Sequence, residues 1–127
     1  MAEILLIAAG WQLRALVRAQ LLEEGYSVRA LPTLESALAI LIQSGEQPRL
    51  AILDTQGLMI DAGRISDLWQ VTGQAPLILC GGAWNRGSLS QGDLPPARVL
   101  LRPFCVGDLV EQAKRVLICP ESKDQAG

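Results

Sequence analysis

The chain has 127 residues, 50% of them hydrophobic, 4% aromatic and 19% charged, with 13 acidic and 11 basic side chains, a formal charge of -2 and no histidine. That length is one domain's worth, able to remove roughly two thirds of its unfolded surface from water, and so apolar a composition with so little net charge excludes a disordered tail. The longest wholly apolar runs, Ile4–Ala9 and Ala37–Ile42, are six residues each, too short for a membrane span and without the basic lead of a secretory signal.

The missing histidine removes Ser-His-Asp and Cys-His catalysis and any His-ligated metal. Cys80, Cys105 and Cys119 form no Cys-x-x-Cys pair. They read as reduced thiols in a cytoplasmic protein, packed as small core residues. Scattered arginines on a slightly acidic chain make no basic stripe, so direct nucleic-acid contact by this domain is not expected.

Along the chain, Glu3–Ala9 is a short apolar run, as for a strand covered on both faces. Trp11–Glu24 then places Leu13, Leu16, Val17 and Leu21 at helical spacing and stops at Gly25. Tyr26–Leu31 predicts a second strand, and Thr33 caps a helix whose inward face is Leu34, Ala37, Leu38, Leu41 and Ile42. Leu50–Leu53 predicts a third strand ending on Asp54. After a loop at Gly57 comes a helix with Ile65, Leu68 and Trp69 on its core side. Pro76–Cys80 and Val99–Leu101 are the fourth and fifth strands. A last helix, Val106–Ile118, turns Val106, Leu109, Val110, Ala113, Val116 and Leu117 inward.

Between the last two strands lie Gly81, Gly82, Gly87, Gly92, Pro95 and Pro96, so the helix expected there is short or absent. These glycines lack the Gly-x-x-x-x-Gly-Lys of a phosphate loop, and Ala8-Ala9-Gly10-Trp11 lacks a dinucleotide fingerprint. Buried strands alternating with helices specify an α/β fold, an open five-stranded parallel sheet with helices on both faces. In such sheets function gathers at the carboxyl ends of the strands, which here carry Ala8, Ala9 and Gly10, then Asp54, Gly81 and Gly82, and Arg102 and Pro103.

Several segments then resemble the receiver domains of two-component response regulators, the flavodoxin-like fold of the chemotaxis regulator. They are the opening Ile4-Leu5-Leu6-Ile7, then Leu21-Leu22-Glu23-Glu24-Gly25-Tyr26-Ser27-Val28, and Glu35-Ser36-Ala37-Leu38. Leu50-Ala51-Ile52-Leu53-Asp54, Pro76-Leu77-Ile78-Leu79 and Arg102-Pro103-Phe104 continue the likeness in the same order. The resemblance runs from Ile4 to about Ile118 and implies a receiver-like domain over residues 1–119, with 120–127 a polar tail or linker start.

Receivers phosphorylate themselves on an aspartate after the third strand, using an acidic pair after the first strand to hold Mg²⁺. A Thr or Ser after the fourth strand and a Lys after the fifth hold phosphate oxygens. Concentrated phosphoryl charge beside a carboxylate is tolerable only next to a metal and a cation. By resemblance Asp54 stands at the acceptor position, the acidic pair is Ala8 and Ala9, the hydroxyl position is Gly81, and the lysine is Arg102. The aromatic switch position on the fifth strand is Val99, and Asp61 matches another commonly acidic position. Alanine offers no side-chain oxygen to a hard cation. The departures therefore imply a degenerate pocket without Mg²⁺ or other cofactor, in which Arg102 can bridge Asp54 as an ion pair. Trp11 and Trp84 follow the first and fourth strands, where their indoles can cover the emptied pocket or meet a partner.

The expected function is an atypical receiver domain, not an enzyme, in bacterial signal transduction or transcription regulation. It acts as a protein-interaction or homodimerisation module through the fifth strand and last helix, with a downstream output domain a further partner. The alternatives are a receiver phosphorylated on Asp54 and a small-molecule or nucleotide sensor built on the same strand ends.

Overall fold

Each apolar strand divides its side chains between two opposite faces because successive residues of a strand point to opposite sides. The structure, a computed structural model, describes residues 2–56, 62–81, 98–101 and 104–118. Its strands are β1 (Ile4–Ile7), β2 (Val28–Leu31), β3 (Leu50–Asp54), β4 (Leu77–Gly81) and β5 (Arg98–Leu101). Its helices are α1 (Trp11–Glu23), α2 (Leu34–Ser44), α3 (Ala62–Val71) and α4 (Val106–Ile118). The strands form one sheet in the order β2-β1-β3-β4-β5, and all pairs are parallel. This is the expected α/β flavodoxin-like sheet, whose chain order reverses between β1 and β3.

On one face Ile4 and Leu6 of β1, Leu50 and Ile52 of β3, and Ile78 and Cys80 of β4 pack with Val17 and Leu21 of α1 and with α4. The intervening residues, Leu5 and Ile7, Ala51 and Leu53, Leu77 and Leu79, meet Leu34, Ala37 and Leu41 of α2 and Ile65 and Leu68 of α3 on the other. The register holds the strands level, with Ile7 opposite Leu53 and Asp54 opposite Cys80. Consequently the carboxyl ends of β1, β3 and β4 come together at one rim.

The helix ends follow local chemistry. Thr33 is extended and accepts the Ser36 N–H at 3.1 Å, and Gly45 closes α2 at φ +72°, a left-handed conformation that suits glycine. At α4 the Asp108 carboxylate takes the Cys105 N–H at 3.0 Å, satisfying a donor before the first turn.

Two residues expected to face inward do not. Leu16 is 54% exposed and Ile42 is 71% exposed. With about 100° of turn per residue, a helix on a sheet buries a stripe that excludes a position one residue step beyond it. On α1 the stripe centres on Val17 and Leu21, and on α2 on Leu34, Ala37 and Leu41. Trp69, expected in the core, is only half-buried, and of the cysteines expected there Cys80 is buried but Cys105 is exposed. The segment where a short or absent helix was expected, with Gly82, Gly87 and Gly92, lies outside the described residues, as do Asp61, Trp84, Arg102 and Cys119.

At the opposite rim Arg49 bonds Glu3 Oε2 at 3.0 Å and the Leu117 carbonyl at 3.2 Å, tying β1 to the end of α4. On the edge strand β2, Arg29 bonds Glu46 at 2.8 Å. The Arg29 hydrogen bond, then its charge, holds the Glu46 carboxyl below its ordinary range, against an opposing effect of burial. A lowered folded pKa contributes stability above the unfolded carboxylate range, and that contribution is lost as pH falls through the folded value. The Arg29→Ala variant is expected to return Glu46 to the ordinary range and to remove this part of the acid dependence, as read by NMR titration and by melting across acidic pH. Thr33→Ala is expected to lower stability by about 1 kcal/mol in urea unfolding, the usual loss of a side-chain cap.

Candidate functional site

In a sheet of this order a crevice opens where neighbouring connections leave in opposite directions, between β1 and β3. An open cleft of about 490 Å³ lies there, lined by Ala9, Gly10, Trp11, Gln12 and Leu13 from the β1–α1 turn and by Asp54 and Gln56 from the end of β3. Asp54 is 2% exposed, and its Oδ1 accepts the Gln56 N–H at 3.2 Å. Thr55, equally buried, donates its hydroxyl to the Cys80 carbonyl at 2.9 Å, which anchors the β3 end to β4 just below the cleft.

Among the described residues the β1 side of this rim carries no acidic side chain. Ala8 is fully buried and Ala9 half-buried, while Gly10 is exposed and extended, its Cα open to solvent. Among the described residues Arg14 places a cation there. From the first turn of α1 its guanidinium reaches back to donate to the Ala8 carbonyl at 2.7 Å and, more weakly, to the Ala9 carbonyl at 3.4 Å. Its donation to two strand-end carbonyls clamps the turn that shapes the cleft. Among the described residues no cluster of three or more His, Cys, Asp or Glu side chains is placed to hold a metal ion.

The structure brings Ala8, Ala9, Asp54 and Gly81 to one rim, as expected. Gly81 ends β4 and is buried. Trp11, 67% exposed, forms a wall of the cleft, so it stands beside the opening rather than filling it. Val99 is 56% exposed on β5. Arg102 and Trp84 lie outside the described residues. Sequence reasoning missed Arg14, Gln12, Thr55 and Gln56. Arg14 had a signal, because a long basic side chain one turn past a strand end can curl back onto its carbonyls. Gln56 acts through its backbone N–H, for which side-chain identity carries no signal.

Similar solved structures identify this fold. The receiver domain of NtrX from Brucella abortus matches with a TM-score of 0.71 and 26% identity, over 91% of this chain and 98% of that one. A CheY-like receiver domain protein from Methanospirillum hungatei matches with a TM-score of 0.75 and 20% identity, over 100% of this chain and 99% of that one. A longer NtrX chain from Brucella abortus matches with a TM-score of 0.75 and 25% identity over 98% of this chain, which spans 28% of it. No protein-family model and no curated protein sequence matches the chain. The fold is thus the flavodoxin-like fold of response-regulator receiver domains, and this likeness supports a place in response-regulator signalling. No helix among the described residues is long and apolar enough to cross a membrane.

Because the Arg14 bond to Ala8 is short and charge-assisted, its loss removes more than a neutral hydrogen bond. Arg14→Met is expected to lower stability by about 1–2 kcal/mol in urea unfolding, with the largest backbone amide shifts at Ala9, Gly10 and Trp11 in NMR spectra.

Proposed function

We propose that this chain is an atypical receiver module that works without taking up a phosphoryl group, its output set by binding a protein partner or a second copy of itself. The observation that carries this reading is the β1 end, where two alanines stand in place of acidic ligands and their carbonyls already accept from the Arg14 guanidinium. A small divalent cation such as Mg²⁺ needs several oxygen ligands in octahedral array, and it dehydrates reluctantly. Among the described residues Asp54 is the single carboxylate lining the cleft, so this donor set does not fit that ion.

Without the metal, in-line attack of the Asp54 carboxylate on a phosphoryl donor lacks the divalent charge that would neutralise the equatorial oxygens, and a lone cation at the Arg102 position replaces only part of it. Gly81 offers no hydroxyl to those oxygens and Val99 no ring to turn, so a modified Asp54 has no side chains at these positions to carry a signal outward. The chain accordingly needs no resident cofactor and carries out no reaction of its own. Asp54 has a positional role in this reading, its carboxylate fixing the start of the loop through the Gln56 N–H. The module acts in the bacterial cytoplasm in signal transduction or transcription regulation, and a joined output domain, as the longer NtrX chain would accommodate, is one partner.

Incubation with a small-molecule phosphodonor and Mg²⁺, followed by intact mass measurement, is expected to leave the mass unchanged. A Mg²⁺-dependent gain of one phosphoryl group that disappears in Asp54→Ala would overturn the reading and make the chain a working phosphoacceptor.

A further inference from the structure

The outward face of α1 differs from the solvated face of an ordinary surface helix. Three of the exposed large hydrophobic side chains lie on this helix, Trp11 at 67%, Leu16 at 54% and Leu22 at 41% exposure. Gln12, Ala15, Arg18, Ala19 and Glu23 are exposed alongside them. Arg18 and Glu23 make no ion pair among the described residues. By contrast, the exposed positions of α4 include Asp108, Glu111 and Arg115.

The spacing of the exposed residues matches a two-helix seam. Gln12, Ala15, Ala19 and Leu22 follow the three-four-three spacing of alternating a and d positions, which places Trp11 and Arg18 at g and Leu16 and Glu23 at e. In a parallel pair a g side chain meets the e side chain five residues further along the other helix. Trp11 then meets Leu16 of the second copy, apolar against apolar, and Arg18 meets Glu23 of the second copy, cation against anion. Both flanks are therefore complementary to themselves under a two-fold axis along the seam, as an isologous contact requires. An antiparallel pair would set e against e and g against g, leaving Arg18 and Glu23 on opposite sides. Ala15 and Ala19 at the seam allow close approach of the two backbones.

We propose that the outward face of α1 is a homodimer surface, in which two copies of this chain pair their α1 helices in parallel. The partner is a second copy because the flank charges and the flank hydrophobics are each satisfied by the same stripe and no other sequence is needed. This surface is separate from the fifth strand and last helix, and it stands whether or not Asp54 is ever modified. A seam of one 13-residue helix per protomer is small, below the area typical of stable interfaces. The pairing is therefore weak and concentration-dependent.

Sedimentation equilibrium of the full chain, with concentrations reaching the millimolar range, is expected to show a monomer–dimer equilibrium. Ala19→Glu, which puts like charges on the two-fold axis, is expected to remove the dimer. Arg18→Glu, which acts at both symmetric pairs, is expected to weaken it up to about thirtyfold, twice the upper end for one exposed ion pair, and Arg18→Glu combined with Glu23→Arg to restore it. All these positions face solvent, and matching far-UV circular dichroism and melting temperatures check that each variant folds. A chain that stays monomeric throughout, a dimer untouched by Ala19→Glu, or a double charge swap no tighter than Arg18→Glu alone would each overturn the proposal. None of these results bears on phosphoryl uptake, which the mass measurement decides separately.

Discussion

The structure depends on the burial of β1, β3 and β4 on both faces at once. Every residue from Ile4 to Ala8 is at most 1% exposed, and Leu50–Leu53 are buried as fully. A parallel strand in the middle of a sheet has no face to give to water, so each side chain must find a helix above or below. The alternation Ile4, Leu6 against Leu5, Ile7 sends half of β1 to α1 and α4 and half to α2 and α3. Slipping β1 by one residue would exchange these two sets, so the register is held from both sides.

That register decides where the chemistry sits. With Ile7 level with Leu53, the turn after β1 and the carboxylate after β3 arrive together at the point where the chain order reverses. The scaffold thus delivers a receiver-type cleft whatever side chains occupy it. At this rim the β1 end presents Ala8, Ala9 and Gly10, and a guanidinium from α1 uses the strand-end carbonyls.

Helix α1 links the site to the surface. Its first turn lines the cleft through Trp11, Gln12 and Leu13, Arg14 clamps the preceding turn, and Val17 and Leu21 anchor the helix to the sheet. Its charges run against its own dipole, with no acidic residue in the first turn and no basic residue in the last. Electrostatics therefore does little to hold α1 in place along its length, and packing of Val17 and Leu21 does most of it. A bond from the neighbouring helix, Lys114 to Glu24 at 3.2 Å, answers the acidic end, and Glu24 in turn raises the Lys114 pKa above its ordinary value, chiefly by that hydrogen bond.

The sequence by itself determined the strands, the helices and the parallel α/β plan, because short continuous apolar runs and stripes of period 3.6 are written in neighbouring residues. It determined the side-chain chemistry of the rim as well, since Ala8 and Ala9 at the β1 end and Gly81 at the β4 end carry no polar side chain in any conformation. Helix orientation needed the tertiary structure. Leu16 and Ile42 lie beside the buried stripes in sequence, but a helix meets a sheet along a narrow line, and only the packed sheet shows where that line falls. The position of Arg14 on the Ala8 carbonyl was also decided only in three dimensions. It joins a side chain on a helix to a backbone oxygen on a strand, and a backbone oxygen leaves no letter in the sequence.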